Sequence, residues 1–284
     1  MERSPFGTTR VHFGGSRPPA PAFVDGGWGG FHSGHPMKYD ITELLQEWDY
    51  KPGQVIARRF TAKDGEKVQL RVDLGVLQMN VEGRPDGKKP LGSESWYQVF
   101  QKRSVAAVEA GTEFHLGAED CSRLQQEAIQ YHHRYICFFQ LQDFEGVEQD
   151  CARNLEVFEF VDAHAESDEL AWGLIQFTPQ LLMMQTRARC EAHLKEKRHQ
   201  SAILVVEEGV ASIEAFYRKH EREDLLEQSG ELASLRHRLE EVRRQPPEDP
   251  LERLRMDLAE AIRQEDYERA AQVRDQLRKL SPEP

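Results

Sequence analysis

Apolar and polar side chains alternate along residues 54–81, which is the pattern of half-buried β-strands. The alternating apolar positions are Val68, Leu70, Val72 and Leu74, followed after Gly75 by Leu77, Met79 and Val81. Asp64-Gly65 lies between this stretch and an earlier one at 54–61, and this dipeptide favours a hairpin turn. The one-residue shift at Gly75 indicates a bulge or a tight bend. The pattern therefore predicts a small module of antiparallel strands.

Beyond residue 92 the apolar side chains recur at helical spacing. Helices are predicted near residues 95–109, 120–141, 144–163, 168–196, 199–228 and 230–244, with Pro179 interrupting the fourth. Residues 246–250 are rich in proline and cannot continue a helix. The predicted fold class is therefore mainly α, with the antiparallel β module near the N-terminus.

Two segments, 140–155 and 195–210, occupy equivalent places, each a turn followed by the second helix of a pair. This arrangement resembles tetratricopeptide-type helical hairpins, which would form an array over residues 113–245. Phe144 and its counterpart His199 are farther apart than the ~34 residues of that repeat, and its Trp-Leu-Gly-Tyr set is missing from the sequence. A tetratricopeptide-like array with long helices and an unrelated helical bundle remain as alternatives.

The charged segment 250–280 is predicted to be a helical hairpin. Its first helix has one apolar stripe made of Leu251, Leu254, Leu258, Ala261 and Ile262. Residues 264–266 break the pattern, and Asp266 is placed to cap the second helix. That helix directs Tyr267, Ala270, Ala271, Val273, Leu277 and Leu280 towards the first. The adjacent alanines are expected to let the two backbones approach closely.

These residues resemble the UVR motif, which occurs at the C-terminus of the excinuclease subunit UvrB, inside UvrC, and in McsA-type stress regulators. The matching positions are Leu251, Leu254, Leu258, Ala261, Glu265-Asp266-Tyr267-Glu268, Ala270-Ala271 and Arg274-Asp275. The resemblance implies a protein–protein docking module that pairs with another such hairpin, either its own copy or that of a partner. The size agrees, because a hairpin of about 30 residues is below the size at which a chain is usually stable without metals, disulfides or association.

The partner-binding residues expected from this resemblance are Leu254, Leu258, Tyr267, Ala270, Ala271, Arg274 and Asp275. The rest of the chain does not resemble those families. It contains no G-x-x-x-x-G-K-[ST] phosphate loop, no recognisable nuclease domain, and no cysteine pairs for a zinc site. A role in excision repair therefore does not follow from the motif by itself.

The residues that could carry other chemistry are few. His133 and Cys137 lie one helical turn apart and could ligate a metal, but two ligands do not make a site, so we predict core packing. Cys121, Cys137, Cys151 and Cys190 form no C-x-x-C pair and are expected to be buried thiols. We expect no catalytic residues, no metal and no cofactor. The enzyme alternative would need a pocket lined by groups such as Glu82, Arg84 and His115.

The formal net charge of −12 argues against direct nucleic-acid binding by bulk electrostatics. Neither a membrane-spanning stretch nor a signal peptide is recognisable, so we expect a bacterial, cytoplasmic protein. We divide it into a disordered Gly/Pro-rich tail (1–36), a small α+β module (37–110), a helical-hairpin array (111–245), a Pro-rich linker (246–250) and a UVR hairpin (251–281). The linker is expected to hold the hairpin away from the body.

The predicted function is a non-enzymatic adaptor that docks a partner, UvrB/UvrC-like, or itself through the hairpin. The resemblance links such an adaptor to excision repair or to a stress response. One alternative is an enzyme whose unrecognised active site lies in the 37–110 module. The other is a regulator of a stress kinase system, by analogy with the motif's other hosts.

Overall fold

The computed structural model of the protein describes residues 40–244 and 250–280. The predicted N-terminal tail, residues 1–36, lies outside the described residues. Helix α1 (Thr42–Glu47) precedes a sheet of β1 (Ala57–Ala62), β2 (Gly65–Val72) and β3 (Gly75–Asn80). The sheet is antiparallel with the order β1-β2-β3.

Two tight turns connect the strands. Ala62 pairs with Gly65 and Val72 pairs with Gly75, so each turn has two central residues. Gly65 has a φ of 120°, which side-chain-bearing residues rarely adopt. The predicted hairpin at Asp64-Gly65 is confirmed, and the shift at Gly75 is a tight turn.

The remainder of the described chain is helical. The helices are α2 (Trp96–Glu109), α3 (Ala118–Gln140), α4 (Phe144–His164), α5 (Asp168–Ile175), α6 (Thr178–Lys195), α7 (His199–Lys219), α8 (Gly230–Arg244), α9 (Pro250–Arg263) and α10 (Tyr267–Leu280). Pro179 lies in the first turn of α6, where proline is compatible with a helix, so the predicted interruption separates two helices. The predicted helix 199–228 is too long, because α7 ends at Lys219 and only a short 3₁₀ turn follows.

Three helix–helix turns share one backbone geometry. The middle residue of each has a left-handed φ, namely 58° at Gln142, 60° at Lys197 and 57° at Glu265. The next residue donates its backbone N–H back into the preceding helix, from Asp143 to Phe138 O, Arg198 to His193 O and Asp266 to Ala261 O, at 2.8–2.9 Å. This is the 6→1 bond of a Schellman C-cap. Helices α2 and α7 end with the same bond, from Thr112 to Ala107 O (2.9 Å) and from Arg222 to Tyr217 O (2.8 Å), so the cap alone does not make Phe144 and His199 counterparts. The tetratricopeptide-like assignment stays a prediction.

One continuous apolar core extends from the sheet to α8. Val68 and Leu70 of β2 belong to it, together with Tyr135 of α3, Ile213 of α7 and Leu235 of α8. Strand β2 lies against α3, so the sheet covers one side of the helical body. The four cysteines are free and buried, as predicted. Burial raises the pKa of the Cys137 thiol to about 12.

A buried ion pair joins the sheet to the helices. Arg134 of α3 donates to both carboxylate oxygens of Asp150 on α4, at 2.8 and 2.6 Å. Its Nη1 donates to the carbonyl oxygens of Asn80 (2.9 Å) and Gly83 (2.7 Å), where the chain leaves β3. Both charged residues are almost fully buried. The guanidinium of Arg134 therefore links α3 to α4 and to the segment in which the chain leaves β3.

A second buried carboxylate fixes the start of α2. Glu127 is 0% exposed and accepts a hydrogen bond from the backbone N–H of Trp96 at 2.8 Å. It also pairs with Arg153 and lies 3.4 Å from Nε of Arg84. Because a negative charge at a helix N-terminus is stabilised by the helix dipole, Glu127 orients α2 on the body.

Candidate docking surface

The C-terminal hairpin packs α9 against α10 through small and aliphatic side chains. Ala261 of α9 and Val273 of α10 are buried, and Leu254 and Ala270 are half-buried. Asp266 accepts a hydrogen bond at Oδ1 from the backbone N–H of Arg269 (3.0 Å), which confirms its predicted capping role. Small residues at this contact allow the two helices to lie close together.

Tyr267 does not face α9, contrary to the prediction that it packs towards the first helix. Successive residues are rotated by about 100°, which places Tyr267 roughly 120° around α10 from the buried Val273. Its side chain is therefore exposed, with a relative exposure of 71%. Ala271 lies on the same side as Tyr267, one turn further along, and is half-buried. Of the adjacent alanines, only Ala270 faces the helix contact.

The hairpin has two unlike flanks. One flank, the polar flank, contains the pair Asp257–Arg269 (3.6 Å), which bridges the two helices, and the exposed Gln276. Helical rotation places Leu258 and Ile262 of α9 and Tyr267 and Ala271 of α10 on the opposite side. We call these residues the apolar flank, and we include the three arginines beside them, Arg255, Arg274 and Arg278. Ile262 is 54% exposed, so both helices contribute exposed apolar area there.

Among the described side chains of the apolar flank, the charged ones are all basic. Arg255 of α9 and Arg274 and Arg278 of α10 are exposed and lie on the same side as Tyr267. Arg274 contacts Asp275 at 3.8 Å, and Asp275 points to the outer side of α10, away from α9. Of the seven predicted partner-binding residues, Leu258, Tyr267, Ala271 and Arg274 therefore share one surface. Leu254 and Ala270 instead form the hairpin interior, and their partner-binding role stays a prediction.

The opposite face of α9 contacts the helical body. Met256 packs against the apolar core, and Arg263 lies 3.7 Å from Glu207 of α7. Glu207 also pairs with Arg243 near the end of α8. A cleft of about 390 Å³ remains beside these contacts. The expectation that the linker holds the hairpin away from the body is wrong, because α9 presents an apolar side chain and a cation to α7.

Helix α9 is consequently the middle layer of three, with α7 on one side and α10 on the other. Four of the residues at this contact were not predicted, namely Met256, Glu207, Arg243 and Arg263. A signal was present, since Met256 and Arg263 are two helical turns apart and define a second stripe on α9. The sequence of α9 alone could not predict that Glu207 of α7 and Arg243 of α8 would face this stripe.

The groups named for an enzyme do not come together. Glu82 lines a cleft of about 450 Å³ with Arg134 and Asp150. Arg84 lies instead beside Asp86 and Glu127, and His115 is on the surface, 3.4 Å from Glu113. These three residues therefore occupy different surroundings.

The proposed metal pair lies in a packed environment. Cys137 is 0% exposed and His133 is half-buried. Burial lowers the pKa of His133 and raises that of Cys137, as expected for side chains in an apolar interior. In the described ranges, 40–244 and 250–280, no three His, Cys, Asp or Glu residues are grouped closely enough to hold a metal ion.

Comparison with known proteins identifies the hairpin. The family model described as the UvrB/uvrC motif (UVR) matches residues 248–281, which confirms the resemblance of the C-terminal segment. Searches of the curated proteins and of the solved structures found no match. Within the parts of the chain that the structure describes, no helix is long and apolar enough to cross a membrane.

Proposed function

We propose that this protein is a non-enzymatic adaptor that docks another protein through the apolar flank of its UVR hairpin. The observation that carries the proposal is the location of the motif's exposed residues. Ile262 and Tyr267, at 54% and 71% exposure, lie beside Ala271 on a hairpin whose residues match the UvrB/uvrC motif. Exposed aromatic and aliphatic side chains next to a small residue offer apolar area at a site where a partner helix can approach closely.

The packing of α9 on α7 supports the same function. The packing of Met256 on the core and the contact of Arg263 with Glu207 limit the orientations that the hairpin can take relative to the body. A partner bound on the apolar flank would therefore take a defined position next to the helical array. The array is the part of the adaptor that we propose to carry a second binding surface.

The test is an affinity capture with the full chain as bait. Ala271→Arg places a long charged side chain in the middle of the apolar flank, and because Ala271 lies outside the contact between α9 and α10, the hairpin interior is left intact. We expect wild type to enrich a defined set of proteins that Ala271→Arg does not. Gln276→Arg is the matched control, because it adds the same charge to the same helix on the polar flank.

The control decides the interpretation. Capture retained by Gln276→Arg and lost by Ala271→Arg supports docking through the apolar flank. Equal capture by all three baits refutes it, and attention then moves to the array and the 37–110 module. Circular dichroism of each bait verifies that the helical content is unchanged.

The pathway is a further part of the proposal. Enrichment of a UvrB- or UvrC-like protein would place the adaptor in excision repair. Enrichment of a kinase or its regulator would favour the stress-response alternative. Glu82, Arg84 and His115 lie in separate surroundings, which does not support the enzyme alternative.

A further inference from the structure

The charges of the hairpin are sorted by side, although residues 251–280 contain as many acidic as basic side chains. The polar flank mixes both signs, with Asp257 and Arg269 in contact. Among the described side chains of the apolar flank, by contrast, the charged groups are the three arginines Arg255, Arg274 and Arg278. Helix geometry thus produces an apolar strip with a basic border on a protein of net charge −12.

We infer that the partner of the apolar flank is a helical protein segment whose apolar stripe is bordered by acidic side chains. This inference rests on the proposed docking function and specifies the chemistry of the partner. Leu258 and Ile262 would pack on the partner's apolar stripe, since they offer no hydrogen-bonding groups. Arg274 and Arg278 would pair with carboxylates at its border, where guanidinium and carboxylate geometries match.

A second copy of the chain fits this surface less well. In a two-fold interface the same patch is contributed by both subunits. Pairing the apolar flank with itself would bring two sets of arginines together around the same apolar centre. Like charges placed opposite one another disfavour association and exclude wrong partners. The charge pattern therefore selects a different, acidic chain over self-association.

A nucleic acid also fits less well than an acidic protein segment. Backbone phosphates would pair with arginines, but between the arginines lie the half-buried Leu258 and the exposed Ile262, aliphatic side chains that match no part of a phosphate backbone. The combination of aliphatic centre and cationic border is complementary to an amphipathic helix.

The test measures binding of two designed peptides to the full chain by fluorescence anisotropy. One labelled amphipathic helix has a leucine stripe bordered by glutamates, and its twin has lysines in place of the glutamates. We expect the glutamate peptide to bind roughly tenfold more tightly at low salt, as a few exposed ion pairs allow. The preference should shrink as the salt concentration rises.

Two charge-reversal variants locate the effect. Arg274→Glu with Arg278→Glu should abolish or reverse the peptide preference. Arg269→Glu with Lys279→Glu makes the same change in net charge on the other side of α10 and should preserve it. All four side chains are exposed, so the hairpin is expected to stay folded in both variants.

Four outcomes overturn the inference. They are equal binding of the two peptides, no binding of either, tighter binding of a labelled single-stranded mixed-sequence oligonucleotide, and self-association of wild type that Ala271→Arg abolishes in sedimentation. Failure here is distinguishable from failure of the docking function. Loss of protein capture by Ala271→Arg, with no charge preference in the peptide assay, would retain the docking surface and reject only the acidic partner.

Discussion

The substitution Arg134→Met is expected to destabilise the helical body strongly while preserving its volume. The wild-type guanidinium donates to both oxygens of Asp150, at 2.8 and 2.6 Å, and to the carbonyl oxygens of Asn80 and Gly83. Methionine fills a similar space and donates none of these hydrogen bonds. The variant therefore leaves a buried carboxylate and two carbonyl groups without their donor.

The expected loss is about 4 kcal/mol of unfolding free energy. Removing one partner of a buried pair costs roughly 3–5 kcal/mol, because the remaining charge stays buried. The carbonyl of Asn80 lies at the end of β3 and that of Gly83 in the loop that follows, and both groups are neutral, so we add little for them. For a body of this size the loss corresponds to a decrease of roughly 8–16 °C in the melting temperature.

Urea unfolding followed by circular dichroism measures this loss, and the double variant Arg134→Met/Asp150→Leu is the decisive control. Replacing both charges with apolar groups removes the uncompensated carboxylate, so the double variant should recover much of the stability. Burial already raises the pKa of Asp150. Without the guanidinium that pKa rises further, so the deficit of Arg134→Met should shrink as the pH falls and the carboxyl is protonated. A loss below about 1 kcal/mol, or no recovery in the double variant, would refute the reasoning.

Three further predictions concern single sites. Gly209→Ala places a Cβ against the side chain of Thr186, so we expect a loss of about 1–3 kcal/mol in urea unfolding, partly recovered by adding Thr186→Ala. Burial lowers the pKa of His132 below its ordinary 6.5. As the pH falls, the unfolded chain therefore takes up this proton before the folded protein does, and the free energy of unfolding should decrease below about pH 6.5. His132→Gln should flatten this dependence between pH 7 and 5, and an unchanged slope contradicts the assignment. Glu207→Gln should speed amide hydrogen exchange in α9, whereas exchange in the neighbouring control Glu208→Gln should match wild type.

The strands and turns were predictable because their determinants are local. Asp64-Gly65 lies between two alternating segments, and Gly75 marks the place where the alternation shifts, so the positions of both turns could be predicted from neighbouring residues. The hairpin was predictable for the same reason, since Asp266 and the flanking stripes lie within one short segment. The side of α10 on which Tyr267 lies was not predictable in this way. Tyr267 and Val273 are six residues apart, which is close to two helical turns, so they are easily assigned to the same face although they lie roughly 120° apart.

The buried polar contacts could not be predicted, since they join distant parts of the chain. Arg134 lies between His133 and Cys137, for which the sequence predicts core packing, and nothing near it indicates Asp150 or the carbonyl of Asn80. Glu127 likewise meets the N-terminus of α2 from a different helix. In the sequence alone, such groups cannot be distinguished from solvated charges on a helix, because their partners lie on other helices and strands.

The contact between α9 and α7 matters for docking because it limits the orientations that the hairpin can take. A hairpin on a free tether would lose orientational freedom when a partner bound to its apolar flank, and that loss would weaken binding. Met256 and the Glu207–Arg263 contact use the face of α9 opposite to α10, so they restrain the hairpin without covering Ile262 or Tyr267. Faster exchange in Glu207→Gln would therefore identify a restraint on the docking surface, and not merely a weaker surface ion pair.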